Sequence, residues 1–275
     1  MSNTIAFIGG GNMARSLIGG LLADGYDARK LWVAEPLAAQ RDGLSQQFGV
    51  NVSASNIEAA VHADIVVLAV KPQVMRAVAG ELAALVQQRR SLVISIAAGI
   101  REKDLRIWLG GEPALVRCMP NTPALVQSGA TGLFANRWVS AEQRQVAESI
   151  LRAAGITLWV EDEALLDAVT ALSGSGPAYF FLVMEAMEQA GVELGLSAEQ
   201  AHLLTLQTAF GAAKMALESA ESPATLRVRV TSPGGTTEKA LSVLRDGGLE
   251  ALFARALGAA YRRCGELSDM LGGST

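Results

Sequence analysis

Thr4–Leu17 reads TIAFIGGGNMARSL, and the rest of the chain is read outward from it. Ile5, Phe7 and Ile8 make a short apolar run of the kind a buried parallel strand requires. Gly9-Gly10-Gly11-Asn12-Met13-Ala14 then fits G-x-G-x-x-A. In such a turn the first glycine permits the tight reversal and the second lets the main chain approach a pyrophosphate. A small third residue lets the next helix pack close to the strand. Met13, Leu17, Ile18, Leu21 and Leu22 form the apolar stripe of that helix. Its N-terminus would offer free N–H groups and a partial positive charge to phosphates. A glycine triplet alone also serves ordinary strand-to-helix turns. Here a strand pattern precedes it, a helix pattern follows, and later motifs agree with a ligand.

The chain has 275 residues, enough for one large domain or two smaller ones. Half of them are hydrophobic and only 5% aromatic, so the core is aliphatic and alanine-rich. Net charge is −4 with no block of like charge, which argues against a nucleic-acid surface. Residues 1–20 do not have the pattern of a secretory signal, and no apolar run is long enough to span a bilayer. Cys118 and Cys264 have no metal-ligand spacing and read as reduced thiols of a cytoplasmic protein. His62 and His202 are the only histidines, so a His-rich metal site is not available.

Lys30–Ala34 (KLWVA) reads as the second strand, ending at Glu35-Pro36. An acidic residue there is placed to meet the adenine ribose. Glu35 would bind the 2′-hydroxyl of NAD(H) and repel the 2′-phosphate of NADP(H); the alternative is a surface turn punctuated by Pro36. Arg41, a turn or so later, could still meet a phosphate. Leu37–Phe48 reads as a helix, Gly49–Val52 as a short strand or connector, and Asn56 as the cap of a short helix. Asp64–Val70 (DIVVLAV) is a strong buried strand followed by Lys71-Pro72, which puts a cation at the carboxyl edge of the sheet, where ligands bind in open α/β folds. Ser91–Ile96 is another such strand, and the small residues Ala97-Ala98-Gly99 after it leave room for a flat ring or ribose. Helices are expected over Ala77–Val86, Arg101–Leu109 and Ala141–Ala154, and strands over Ala114–Met119, Gly129–Ala135 and Ile156–Val160. Strand and helix alternate, so this half is a doubly wound, mostly parallel sheet.

Past Glu161 no strand pattern remains. A helix over Leu165–Leu172 stops at Ser173-Gly174-Ser175-Gly176-Pro177. The next, Ala178–Leu194, opens almost apolar all round (YFFLVMEAM) and should be buried, either in a domain core or between subunits. Exposed on a lone small domain it would be costly, so at least a dimer is expected. Ser197 caps a long helix to Glu218. Thr231-Ser232-Pro233-Gly234-Gly235-Thr236-Thr237 is a second glycine-rich loop that opens a helix. Its size and flanking hydroxyls suit a carboxylate better than a pyrophosphate; the alternative is a plain helix start with capping Ser and Thr. The expected division is a Rossmann-like NAD(P)-binding domain over residues 1–161 and an all-helical dimerisation and substrate-binding domain over 162–275. A dinucleotide site, a hydroxyl-lined anion site and no obvious acid–base pair together suggest hydride transfer, in which the nicotinamide carries the chemistry.

Six motifs resemble those of pyrroline-5-carboxylate reductases, the last enzymes of proline synthesis. They are FIGGGNMA (Phe7–Ala14), AVKP (Ala69–Pro72), SIAAG (Ser95–Gly99), MPNTPA (Met119–Ala124), LSGSGPAY (Leu172–Tyr179) and VTSPGGTT (Val230–Thr237). The last two are the most specific, and the resemblance covers essentially the whole chain. It implies a subunit that pairs through its helical domain, with dimers built into decamers, and a nicotinamide set between the Rossmann-like domain and the partner's helices. It implies that Gly9, Gly10, Gly11, Asn12, Met13, Asn56, Ala69, Val70, Lys71, Pro72, Ala97, Ala98 and Gly99 touch NADP(H) or NAD(H). Ser232 and the Gly235-Thr236-Thr237 main chain would hold the substrate carboxylate. Thr237 would hydrogen-bond the imine nitrogen of 1-pyrroline-5-carboxylate, and Ser173, Gly174, Ser175 and Gly176 would floor the pocket. Hydride delivered to the imine carbon gives L-proline. Glu35 stands where many such enzymes carry a small hydroxyl residue, which bears on cofactor preference.

Two other readings use parts of the same pattern. A 3-hydroxyacid dehydrogenase shares the Rossmann-plus-helical plan but needs a lysine and an asparagine on the helix after a glycine-rich stretch, and Ala178–Met184 offers neither. A non-catalytic NAD(P)-binding regulator would keep the first glycine loop and has no use for SGSGP and SPGGTT together.

Overall fold

The computed structural model describes residues 3–273. An eight-stranded sheet runs in the order β3-β2-β1-β4-β5-β6-β7-β8. Its strands are β1 (Ile5–Ile8), β2 (Leu31–Ala34), β3 (Asn51–Ser53), β4 (Ile65–Leu68), β5 (Leu92–Ser95), β6 (Leu115–Met119), β7 (Gly129–Ala135) and β8 (Gly155–Trp159). All neighbours are parallel except β6 and β7, so the expected mostly parallel, doubly wound sheet is present. β1 pairs with β2 on one side and β4 on the other, with Ile5 opposite Leu31 and Ile65. The strand order therefore reverses beside β1, the position at which open α/β sheets take their ligands.

Alternation along the strands explains the two layers. Ile5 and Phe7 face one side, with Leu31, Val33, Val67 and Ile94. Ala6 and Ile8 face the other, with Val66, Leu68 and Val93. The first face is covered by α1 (Asn12–Ala23), α2 (Ala38–Phe48) and α6 (Ala141–Arg152), through Leu17, Ile18, Leu44, Ile150 and Leu151. The second is covered by α3 (Asn56–Ala60), α4 (Met75–Arg89) and α5 (Glu102–Leu109), through Ala59, Met75, Leu82 and Leu105. Period-two burial on both faces is what a strand between two helical layers demands. α1 and α6 are seated by Gly20, where a Cβ would lie 2.1 Å from the Ala153 carbonyl oxygen.

The helical half comprises α7 (Leu165–Val169), a π-turn over Thr170–Gly174, α8 (Gly176–Glu193), α9 (Ala198–Glu218), α10 (Pro223–Arg229), α11 (Thr236–Asp246) and α12 (Leu249–Gly272). Ser197 and Gln200 form a reciprocal capping box at the start of α9. The chain divides into two compact units. One holds the residues up to Ser175 together with those from Ala260 onward; the other is Gly176–Ala259. Strands cease near residue 161, where the sequence pattern changes, but α7 and the π-turn stay with the sheet and the last part of α12 returns to it.

Three local expectations are corrected. Asn56 does not cap α3: the Ser55 side chain does, accepting from the Glu58 amide, because the cap must precede the first helical residue. The helix over Leu165–Leu172 relaxes into the π-turn after Val169. The apolar opening of α8 is not a domain core: Phe180, Phe181 and Leu182 are 67%, 63% and 66% exposed in the single chain. Among the described residues no helix is long and apolar enough to cross a membrane.

Candidate active site

The glycine loop sits at the carboxyl end of β1, at the switch point. Gly9 has φ +104°, and a Cβ there would come within 2.8 Å of the Ala69 carbonyl oxygen. Only glycine fits both constraints. Gly10 is confined too, since a Cβ would meet Leu44 Cδ1 at 2.6 Å. Gly11 differs: its φ is −69°, and a Cβ there would meet nothing within 4 Å. Neither its backbone angle nor a neighbouring atom requires glycine at that position. The open side of the main chain there lies at the start of α1. Gly11 is the N-cap of α1 and supplies no side chain to cap its first amides.

Glu35 follows β2 directly and is buried. Its Oε2 accepts from the Gly10 amide at 3.1 Å and its Oε1 from the Leu37 amide at 3.1 Å. The carboxylate thus stands beside the loop, with its charge at the edge expected for a ribose. The Arg41 guanidinium donates to the carbonyls of Glu35 (2.8 Å) and Pro36 (2.7 Å), which ties it to the same turn. Asn56 donates from Nδ2 to Glu81 on α4 at 2.8 Å. Ala69 packs against Gly9 as described. Lys71 is exposed and extended, and precedes a 3-10 turn opened by Pro72.

Two of the expected cofactor segments share one cavity of about 180 Å³. Pro72 and Gln73 line it from one side and Ala97-Ala98-Gly99 from another. The remaining wall comes from Arg117, Cys118 and Met119 on β6, Leu166, Asp167 and Thr170 around α7, and Cys264, Leu267 and Leu271 on α12. Gly99 has φ +75°, and a Cβ there would touch Leu271 Cδ1 at 3.1 Å. Arg117 is a buried charge in an otherwise apolar strand and pairs with Glu163 at 2.5 Å. The same Glu163 oxygen accepts the Glu102 amide, so β6, α5 and the lead into α7 meet on one carboxylate. Burial pushes the Asp167 carboxyl above its ordinary range, against the pull of Arg117 and Arg101. Burial also raises the Cys118 thiol far above its usual range and raises Cys264, with Asp167 adding to the latter.

Asn121, in the MPNTPA motif, fastens the SGSGP segment to the sheet. Its Nδ2 donates to the Ser173 carbonyl at 3.0 Å, and its Oδ1 accepts from the Ala130 amide at 2.9 Å. Gly174 faces Met119, where a Cβ would lie 2.7 Å from the methionine Cε. The Ser173 hydroxyl donates back to the Val169 carbonyl at 3.0 Å, and the Ser175 amide to Thr170 at 2.8 Å.

In the second unit the VTSPGGTT segment forms a tight turn into α11. Gly234 takes φ +72° and gives its amide to Glu238 at 2.7 Å, while the Gly235 amide goes to the Ser232 carbonyl at 3.0 Å. The two glycine amides are therefore spent on acceptors within the turn itself. The N-cap of α11 is Gly235, which supplies no side-chain cap to the first amides of the helix, those of Thr236 and Thr237 among them. Gly176 is buried at the start of α8.

Sequence reasoning missed Arg117, Glu163, Asp167 and Cys264. An arginine inside the apolar run ALVRCM was the available signal, because a buried guanidinium requires a partner.

Comparison with known proteins now bears on this arrangement. A family model described as pyrroline-5-carboxylate reductase dimerisation matches residues 163–267, and one described as NADP oxidoreductase, coenzyme F420-dependent, matches residues 4–99. The pyrroline-5-carboxylate reductase of Pseudomonas aeruginosa is 56% identical over 268 residues, covering 98% of each chain. A solved pyrroline-5-carboxylate reductase from Coxiella burnetii is 48% identical with a TM-score of 0.95, covering 98% of this chain and 99% of that one. A Plasmodium falciparum pyrroline carboxylate reductase solved with NADP bound is 30% identical, with a TM-score of 0.85 and coverage of 97% and 98%. With both glycine loops, the SGSGP segment and the helical half matched along nearly its full length, the chain belongs to the pyrroline-5-carboxylate reductase family.

Proposed function

We propose that this protein reduces 1-pyrroline-5-carboxylate to L-proline with NADPH or NADH, and that residues 1–161 hold the dinucleotide while residues 162–275 hold the partner subunit and the substrate carboxylate. The observation that supports the cofactor side is Gly11, a glycine at the N-cap of α1 whose open side leaves room for a ligand against the main chain. The bound nicotinamide supplies the hydride. Gly9–Met13 and the N-terminus of α1 hold the pyrophosphate, Glu35 and Asn56 lie on the adenosine side, and Ala69–Pro72 with Ala97–Gly99 line the way to the nicotinamide. The cavity beneath Ala97–Gly99, about 180 Å³, is lined mostly by apolar residues, which suits a flat ring.

Ser232 and the main chain of Gly235-Thr236-Thr237 hold the substrate carboxylate, the Thr237 hydroxyl hydrogen-bonds the imine nitrogen, and Ser173–Gly176 floor the pocket. The chemistry needs little else from the protein, because an imine is already an electrophile and orientation supplies most of the gain. The exposed apolar residues of α8 are covered in a dimer, dimers assemble into decamers, and the enzyme works in the cytoplasm. The test is oxidation of NADPH and NADH, in parallel, by the purified protein with 1-pyrroline-5-carboxylate. Turnover supports the reading. A folded protein that binds NAD(P)H and does not turn over overturns it.

A further inference from the structure

We propose that Arg41 is the residue that admits the 2′-phosphate of NADP(H) beside Glu35, an assignment that rests on the dinucleotide reading above. The difficulty it answers is electrostatic. A phosphate monoester carries about −1.5 to −2 charges near neutral pH. Glu35 puts a carboxylate directly after β2, at the edge where the adenine ribose is read. Unless that carboxylate is held back and a cation stands beside it, the edge accepts NADH alone.

The structure meets both conditions. Each Glu35 oxygen is taken by a main-chain amide, Oε2 by Gly10 and Oε1 by Leu37, both at 3.1 Å. The residue is only 8% exposed, so the carboxylate is drawn in under the turn and its lone pairs are spent there. Arg41 lies early in α2 and is only partly buried. One nitrogen, Nη1, donates to both the Glu35 carbonyl at 2.8 Å and the Pro36 carbonyl at 2.7 Å. A guanidinium has five N–H groups. Those on Nε and Nη2 have no hydrogen bond or ion pair among the described residues. The cation is thus anchored on the Glu35-Pro36 turn by one corner, and the rest of its planar fork is left for a phosphate.

No other nearby cation is placed for this. Arg15, on α1, has a partner on each of its three nitrogens: the Gly10 carbonyl, the Gln47 side chain and the Gln40 carbonyl, all at 3.2 Å. It holds the Gly10 carbonyl as Glu35 holds the Gly10 amide, so its work is to fix the loop. Arg29 and Lys30 precede β2 and stand at the amino end of that strand, with Arg29 on Asp27 at 2.9 Å. Lys71 follows β4, which lies across β1 from β2. Glu35 and Arg41 therefore act in opposite senses on one group. The carboxylate disfavours the 2′-phosphate and the guanidinium favours it, while NADH, which lacks that phosphate, gains nothing from Arg41.

The test is calorimetric titration of the full-length apoprotein with NADP⁺ and NAD⁺, which differ only in the 2′-phosphate. Arg41→Gln removes the charge and keeps a donor for the turn. It should weaken NADP⁺ at least ten-fold, roughly the loss of a hydrogen bond to a charged group, and leave NAD⁺ within two-fold and Tm within error. Arg41→Lys keeps the charge and should recover part of the NADP⁺ affinity. ³¹P NMR of bound NADP⁺ gives a readout that a purely structural role does not move. The 2′-phosphate should titrate at lower pH on the parent than on Arg41→Gln, because a guanidinium favours its doubly charged form. Equal weakening of both dinucleotides in Arg41→Gln, or a 2′-phosphate titration that the substitution leaves in place, overturns the assignment. A parent that binds neither dinucleotide overturns the dinucleotide reading itself, and this assignment with it.

Discussion

Glu35 and Gly10 are joined by a hydrogen bond of 3.1 Å from the loop amide to the carboxylate. One side chain thereby shapes the glycine loop and sets the charge beside it. Glu35→Ser should raise the NADPH-to-NADH ratio of kcat/KM about ten-fold, the effect of removing roughly 1.4 kcal/mol of like-charge repulsion. Serine does not span to both amides, so the variant should also lose about 1–2 kcal/mol of stability. Parallel kinetics and a urea titration check the two effects separately. An unchanged cofactor ratio would show that the carboxylate does not meet the ribose edge.

Gly9 and Gly11 should separate fold from ligand. Gly9→Ala forces a side chain into a left-handed conformation and against the Ala69 carbonyl, so both Tm and cofactor binding should fall. Gly11→Ala meets no protein atom and should leave Tm nearly unchanged while weakening NAD(P)H at least ten-fold. Thermal melts beside cofactor titrations distinguish the two patterns. Equal cofactor affinity in Gly11→Ala would remove the argument for a pyrophosphate at that point.

Thr237→Ala should lower kcat about 10- to 100-fold, in the range of a lost transition-state hydrogen bond, and leave the NADPH dissociation constant within two-fold. Thr237 lies in the first turn of α11, so the variant keeps the helix start intact. Equal turnover in the variant would take the hydroxyl out of the reaction.

The exposed apolar face of α8 should be the handle on self-association. Phe181→Glu places a charge in that face and should shift the protein from dimer to monomer in sedimentation velocity at micromolar concentration. An unaltered sedimentation coefficient would place the dimer contact elsewhere.

Arg117 and Glu163 should couple. Arg117→Met leaves Glu163 without its buried guanidinium and should cost about 3 kcal/mol. Glu163→Gln still accepts the Glu102 amide and should cost less. The double variant should be more stable than the sum of the singles predicts, read from denaturant midpoints.

The sheet was legible because its strands are apolar runs separated by amphipathic helices, and a parallel strand between two layers has no polar face to confuse the pattern. The glycine loop was legible because φ and close approach restrict the residue types allowed. Boundaries slipped where the signal was a single polar side chain: Ser55 and Asn56 are both good caps, and only geometry chooses between them. The fate of α8 was also ambiguous from composition, because a helix apolar all round suits a core or a subunit contact equally well. The cavity wall was invisible for a different reason. Arg117, Asp167 and Cys264 lie far apart in the chain, none belongs to a motif, and their proximity follows from how α7 and the end of α12 return to the sheet.

That return has a consequence for how the protein is made. The cavity beneath Ala97–Gly99 is walled in part by Cys264, Leu267 and Leu271, which the ribosome adds about a hundred residues after the last strand. The glycine loop and all eight strands leave the exit tunnel well before them. A nascent chain therefore holds a complete sheet and an open cavity from the emergence of β8 (Gly155–Trp159) until residues 264–271 follow. The wall closes only once residues 264–271 have been made, so a subunit cut short before residue 264 would carry the glycine loop without it.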